Sequence, residues 1–135
     1  MSFVRPIRWV TVLYDGEKIL FSFDGLPSRN ITYGHRFLSS SVIPLKEATE
    51  YEKALKENYV IPDPEERKNI IKDEVNKKAR DLNVRPLLGD RLLDELVNLV
   101  EFPVIAVGTF EEEFLTLPKE VLISEMVDHQ KFIPL

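Results

Sequence analysis

The residue types most able to contact an anion are concentrated in one short stretch, Tyr33-Gly34-His35-Arg36-Phe37. An aromatic ring, a glycine, a histidine and an arginine in one loop can bind phosphate oxygens or the edge of a base. The alternative is a structural role, in which the stretch is a tight crossing, Phe37 anchors the core and Arg36 pairs with an acidic side chain. On the residues alone, the structural interpretation is favoured.

Cations also lie near both ends of the chain. The stretch Arg5-Pro6-Ile7-Arg8-Trp9 places two arginines beside a tryptophan. These arginines either stack on the aromatic ring or contact an RNA backbone, and the sequence favours neither. Near the other end, His129-Gln130-Lys131 closes a predicted helix. Positive side chains there stabilise the negative end of the helix dipole, with an RNA-facing role as the alternative.

Signatures of catalysis are missing from the sequence. The five glycines are scattered and form no phosphate-binding loop, there is no nucleophile elbow, and there is no cysteine. The two histidines lack the spacing of a metal site. The run Glu111-Glu112-Glu113 is interpreted as a solvated turn, and nothing places Asp94, Glu95 and Glu101 as an acid–base pair. We therefore expect no catalytic residue, no cofactor and no metal.

The charge is distributed unevenly along the chain. The net charge is −5, but residues 1–46 carry six Lys/Arg and three Asp/Glu, whereas residues 90–135 carry three and ten. Contacts with phosphate need clustered cations. The first third is therefore the part expected to face phosphate, and the acidic last third is expected to face solvent or a basic partner.

Length and composition indicate a single domain over residues 1–135. The chain is 44% hydrophobic and 30% charged, which is typical of a globular protein. No apolar run reaches the ~20 residues of a membrane-spanning helix, and no signal peptide is evident. The absence of cysteine fits a cytoplasmic location.

The clearest structural signal is a β-hairpin at the amino end. Side chains of residues 7–14 alternate between two faces, as in a strand. Asp15-Gly16 follows, and this pair suits a type I′ turn, whose two central residues need positive φ. Residues 18–23 form the predicted return strand, with Ile19, Phe21 and Phe23 on one face.

Helical periodicity predicts four helices. The first is expected to bury Tyr51, Ala54 and Leu55. The second has a strong start, because Asp63 can cap it and Pro64 occupies the first helical position. The predicted helices cover residues 46–57, 64–82, 90–100 and 118–129.

Further strands are predicted at residues 36–38, 104–110 and 132–135, with the continuous apolar run 104–110 as a central strand. The sequence therefore predicts an α+β fold. It combines a mostly antiparallel sheet, led by the N-terminal β-hairpin, with about four packed helices.

Several stretches, in this order, resemble the β subunit of the bacterial heterotetrameric glycine–tRNA ligase (glycyl-tRNA synthetase). Their order and spacing together are specific, and they cover nearly the whole chain. They are Phe3-Val4-Arg5-Pro6-Ile7-Arg8-Trp9, Gly34-His35-Arg36-Phe37, Val60-Ile61-Pro62-Asp63 with Glu65-Glu66-Arg67, Leu92-Leu93-Asp94-Glu95-Leu96-Val97-Asn98-Leu99-Val100-Glu101 with Pro103, Phe110-Glu111-Glu112-Glu113-Phe114-Leu115 with Pro118, and Glu120-Val121-Leu122 through His129-Gln130-Lys131.

The resemblance implies that the chain is a fragment from the N-terminal half of a longer β subunit in an α₂β₂ enzyme. The α subunit of that enzyme activates glycine with ATP and magnesium, and the β subunit contributes recognition of tRNA. The implied partners are glycine-specific tRNA, the α subunit and the rest of the β subunit, with neither membrane nor DNA. The fragment is expected to be part of a ligase without being catalytic alone.

The resemblance also directs attention to six candidate RNA contacts. They are expected to position tRNA through its backbone, from one face mounted on the sheet. The family usually has arginine where Tyr33 stands, which removes one cation from the phosphate-facing loop. The candidates are Arg5, Arg8, Arg29, His35, Arg36 and Lys131.

Two other functions are kept as alternatives. In the first, the domain is an interaction scaffold that joins subunits or domains without touching RNA. In the second, it is an editing-type hydrolase domain. Editing is disfavoured, because glycine is the smallest amino acid and a site can exclude larger ones sterically.

Overall fold

The computed structural model describes residues 6–135. Arg5 lies outside the described residues. Contacts between Cα atoms divide the chain into two units, one ending at Pro62 and the other running from Asp63 to Leu135. Each unit is described by itself, and the single domain over residues 1–135 stays a prediction.

In residues 6–62, the described part of the first unit, there are seven short strands and one α-helix. Three of the four strand pairings described are antiparallel, as predicted, and the pairing of β1 with β5 is parallel. The elements are β1 (Val10–Thr11), β2 (Leu13–Tyr14), β3 (Glu17–Lys18), β4 (Ser22–Phe23), β5 (Leu26–Arg29), β6 (Ile31–Tyr33), β7 (Val42–Pro44) and α1 (Tyr51–Lys56). The strands pair in the order β1-β5-β4, with β2-β3 and β6-β7 as separate pairs.

The predicted hairpin is confirmed at its turn. Asp15 and Gly16 both have positive φ, 49° and 77°, and β2 pairs with β3 on either side of them. A second Asp-Gly turn, at Asp24-Gly25, joins β4 to β5 with φ of 47° and 82°. The same Asp-Gly signal is present in the sequence at residues 24–25.

The hairpin strands are shorter than predicted because Ser28 interrupts them. The Ser28 hydroxyl accepts from the Phe21 N–H at 2.9 Å and donates to the Ile19 carbonyl at 2.6 Å. The main chain of Ser28 also donates to the Phe21 carbonyl at 2.7 Å. One buried serine therefore satisfies main-chain groups that a longer hairpin would have paired.

The strand predicted at residues 36–38 is wrong, since these residues form a turn. The imidazole of His35 accepts from the N–H groups of Phe37 and Leu38, each at 3.2 Å. Those donors are consequently occupied. Phe37 is 85% exposed, so the expectation that it anchors the core is also wrong.

The first predicted helix begins later than residue 46. A 3₁₀ turn at Ala48–Glu50, closed by a reciprocal capping box with Glu47, precedes α1. Leu55 is buried as predicted, whereas Tyr51 is 40% exposed, so its predicted burial is wrong.

The other three predicted helices lie in the second unit. The Asp63 carboxylate caps the first of them by accepting from the Glu65 N–H at 2.9 Å. Asn83, in the left-handed conformation, ends it. The elements are α2 (Pro64–Leu82), α3 (Asp90–Leu99), a 3₁₀ turn (Glu112–Thr116) and α4 (Lys119–Ser124), which continues as a π-helical turn (Glu125–His129).

The core of the second unit lies between α2 and α3. Ile71 and Val75 from α2 contact Leu93 and Val97 from α3, and all four are buried. Their spacing of four residues places each pair on one helical face, as the periodicity predicted. None of the helices among the described residues is both long and apolar enough to cross a membrane.

The strands predicted at residues 104–110 and 132–135 are wrong, because neither range forms a strand in the described structure. Within residues 63–135 there is no strand for either of them to pair with. An unpaired strand leaves its main-chain groups to water. Val104 is accordingly 76% exposed, although the run was predicted to be central.

Candidate nucleic-acid interface

Two of the candidate arginines lie near the pairing of β1 with β5. Arg8 lies two residues before β1, and Arg29 ends β5 opposite Thr11 in the parallel register. The Val12 N–H donates to the Arg29 carbonyl at 3.3 Å, which extends the pairing by one residue. Both arginine residues are exposed, one on β5 and one in the segment that leads into β1.

The loop after β6, residues 34–38, carries His35 and Arg36. It passes close to the end of α1, where the His35 N–H donates to the Asn58 carbonyl at 2.9 Å. The Asn58 side chain accepts from the Ser39 hydroxyl at 2.7 Å and donates to the Ala54 carbonyl at 2.8 Å. Asn58 therefore fixes the loop. Sequence reasoning missed Asn58, since it lies about 20 residues along the chain from the loop it holds.

The hydrogen bonds of His35 fix what its ring can offer. Nδ1 accepts from two main-chain N–H groups, so the neutral ring carries its hydrogen on Nε2. That Nε2–H is a donor. The 34–38 loop thus combines an oriented imidazole donor with the neighbouring guanidinium of Arg36.

The interpretation in which Arg36 pairs with an acidic side chain is wrong. Its guanidinium carbon lies 5.7 Å from the centre of the exposed Phe37 ring, a cation–π contact. Within residues 6–135 it forms no ion pair. The guanidinium of Arg36 therefore contacts an aromatic face, and its N–H groups remain accessible.

Trp9 packs on another aromatic ring. Its ring centre lies 4.6 Å from that of Tyr33, with the planes inclined at 59°. Tyr33 therefore supports the strand that follows Arg8 through an aromatic pair of favourable geometry.

A cleft of about 410 Å³ opens beside this aromatic pair. Its volume is in the range of small-ligand sites. Two partly exposed rings and two threonines contribute to its walls. The residues that line it are Trp9, Thr11, Leu13, Thr32, Leu45, Ala48 and Tyr51.

Lys131 lies in the second unit, away in sequence from the other candidates. Its φ of 58° places it in the left-handed region, after the π-helical turn. The ammonium group is 2.5 Å from the Glu95 carboxylate. Glu95 also pairs with Arg91 at 3.5 Å, and Arg91 contacts Asp128. The Lys131 charge is therefore engaged in an ion-pair cluster, and the structure does not bring it into the unit of Arg8, Arg29 and Arg36.

These ion pairs shift proton affinities at the surface. The hydrogen bond from Arg91, followed by one from Ser124, lowers the pKa of Asp128. The same hydrogen bond raises the pKa of Arg91. In the neighbouring ion pair, a hydrogen bond to Asp94 raises the pKa of Lys68. Each shift stabilises the charged form of its group.

Comparison with known proteins identifies the family. A family model described as "Glycyl-tRNA synthetase beta subunit" matches residues 1–135. The glycine–tRNA ligase β subunit of Aquifex aeolicus is 41% identical over 132 residues, which are 98% of this chain and 20% of the relative. Those of Oceanobacillus iheyensis and Geotalea uraniireducens are 42% and 39% identical over 99% and 100% of this chain, and over 19% and 20% of their own length. The chain spans about one fifth of these relatives, and it belongs to the glycyl-tRNA synthetase β subunit family.

Proposed function

We propose that this chain is a structural, tRNA-facing domain of a glycine–tRNA ligase β subunit. It supports the attachment of glycine to its tRNA and does not catalyse the reaction. One observation carries the proposal: Arg8, Arg29 and Arg36 are all exposed in the first unit, and none of them forms an ion pair among residues 6–135. Exposed, unpaired guanidinium groups are available for charge-assisted hydrogen bonds to phosphate.

The state of Lys131, the candidate in the second unit, supports this assignment. It is engaged with the Glu95 carboxylate, as Lys68 and Arg91 are with Asp94 and Asp128. A cation already paired would have to exchange one partner for another in order to hold phosphate. The first unit is therefore the favoured docking face, and it would position tRNA through its backbone without reading bases.

The proposed setting is an α₂β₂ enzyme in the cytoplasm. The curated relatives are named as β subunits of a glycine–tRNA ligase, so an α subunit is the proposed partner. In this arrangement the α subunit uses ATP and magnesium to activate glycine. The residues of this chain hold the tRNA and bind no cofactor.

Replacing Arg36 with alanine tests the proposed docking face. In the full enzyme, loss of one charged hydrogen bond of about 1.5 kcal/mol should raise the apparent KM for tRNA roughly tenfold. Glycine activation, measured by ATP–pyrophosphate exchange, should stay unchanged. Arg80→Ala, which removes an exposed arginine from the last turn of α2, is the matched control and should leave both values as they are.

A salt series on the 135-residue chain gives a second readout. Filter binding to glycine-specific tRNA should weaken steeply with salt, and Arg36→Ala should make the slope shallower by about one. A drop in ATP–pyrophosphate exchange in Arg36→Ala, or no binding of the chain to tRNA at low salt, would contradict the proposed role.

The editing alternative finds no support in the cleft beside Trp9. Of its threonines, Thr11 already donates to the Ile31 carbonyl at 2.6 Å, and Thr32 is buried. The lining includes no carboxylate and no imidazole, the usual groups for hydrolytic acid–base chemistry.

A further inference from the structure

The apolar run of residues 104–110 is exposed on the second unit. Ile105 packs against the core between α2 and α3 and so attaches the run to the unit. Val104, Val107 and Phe110 remain exposed. An uncharged apolar run at the surface marks a contact site for another protein segment.

The main chain of the run has no partner. No N–H or carbonyl of residues 104–110 forms a hydrogen bond within the described part of the chain. None of these residues has positive φ, and Glu111, which follows the run, is extended. Valine, isoleucine, threonine and phenylalanine favour strands. The run therefore has the properties of a strand edge to which a further strand can add.

Acidic side chains flank the run on both sides. Glu101 precedes it, Glu111, Glu112 and Glu113 follow it, and no residue between them is charged. An antiparallel pair of two copies centred on Val107 would bring the end with Glu101 close to the end with Glu111, Glu112 and Glu113. A parallel pair in register would place each glutamate beside itself. Like charges in these positions destabilise a pair, so the run disfavours its own copy and suits a strand with basic ends.

We propose that residues 104–110 are a docking edge for a β-strand with an apolar centre and basic ends, supplied by the remainder of the full-length β subunit. This chain covers only 19–20% of the length of its curated relatives. A strand of the same polypeptide reaches the edge at a high effective concentration. Main-chain hydrogen bonds join the strands, and lysine or arginine at the strand ends meets the flanking glutamates.

The proposal is independent of tRNA docking, because it concerns another unit and another kind of partner. Amide hydrogen exchange of residues 104–110 tests it. In the 135-residue chain alone these amides should exchange close to the rate of an unstructured peptide. In the full-length β subunit they should exchange at least about 100-fold more slowly.

Three results would overturn the proposal. Equal exchange rates in the chain and in the full-length subunit would show that no strand docks. Protection that arises only when the α subunit is added would assign the edge to a different partner. Protection in the chain alone that increases with protein concentration would show self-pairing, against the charge argument.

Charge reversal tests the basic ends of the docking strand. In the full-length subunit, the double variant Glu111→Lys and Glu113→Lys should increase exchange of residues 104–110 by about tenfold, since two favourable cross-strand pairs become repulsive. Glu120→Lys, an exposed glutamate of α4, is the matched control and should leave the rates unchanged. Unchanged rates in the double variant would rule out a strand with basic ends.

Discussion

At Gly34 the main chain passes so close to the end of α1 that no side chain fits. A Cβ atom built there would lie 2.5 Å from the Cβ of Asn58, 2.6 Å from its carbonyl oxygen and 2.9 Å from the Cβ of Ser39. These distances are below ordinary van der Waals contact. The residue that begins the 34–38 loop is thus specified by space alone.

Gly34→Ala should therefore destabilise the first unit. Overpacking of this kind costs about 1–3 kcal/mol, because the loop must move away from Asn58. Urea unfolding of the chain measures the change. Gly108→Ala is the control, since a Cβ there would meet nothing within 4 Å, and equal stability of both variants would contradict the close approach.

The presence of His35 and Arg36 in one loop could be predicted from the sequence, because the two residues are adjacent. The role of Asn58 in holding that loop could not be predicted. Asn58 holds the loop from the end of a helix, and a contact over such a separation leaves no local pattern. The same limit applies to Lys131, whose ion pair with Glu95 is invisible in a sequence that shows only a cation after a helix.

At the scale of elements, the buried hydroxyl of Ser28 organises the strands around it. It accepts a hydrogen bond from the Phe21 N–H and donates one to the Ile19 carbonyl. A buried donor without a partner costs about 1–3 kcal/mol. Ser28→Ala should lower the free energy of unfolding by that amount.

Thermal or urea unfolding of Ser28→Ala measures this loss. Ser22→Ala, at an exposed position in β4, should leave stability nearly unchanged. If the two alanine variants were equally stable, the hydroxyl of Ser28 would not be supporting the strands.

Helices were predicted better than strands for a physical reason. The cap at Asp63 and the spacing of Ile71 and Val75 are local signals, and α2 follows them closely. A strand depends on a partner strand, which can be at any distance along the chain. Residues 104–110 have strong strand propensity but no described neighbour, so propensity alone misplaced them in a sheet.

At the scale of the whole molecule, the two units use charge differently. The first unit keeps Arg8, Arg29 and Arg36 exposed, whereas the second engages Lys68, Arg91 and Lys131 with carboxylates. The net charge of −5 does not show this difference.

The cluster around Asp128 should make stability depend on pH. Arg91 lowers the pKa of Asp128, so its stabilisation is present above the ordinary carboxyl pKa, about pH 4. It is lost as the pH falls through the lower, folded-state value. The stability difference between the wild type and Asp128→Asn should be largest near neutral pH and shrink below about pH 4.

Urea unfolding between pH 7 and pH 3 measures this difference. Asp81→Asn, which alters an exposed aspartate of α2, is the control and should show little difference from the wild type at any pH in that range. A constant gap between Asp128→Asn and the wild type would exclude the Arg91–Asp128 interaction as its cause.

The hydrogen bonds by which Asn58 holds the 34–38 loop have a kinetic consequence. A loop already held in one shape loses little conformational entropy when it receives an anion. Under the proposed function, the encounter need not wait for a rearrangement of the protein, so association should be limited by diffusion and electrostatic steering. The close packing that excludes a methyl group at Gly34 would then also remove a slow rearrangement step from RNA binding.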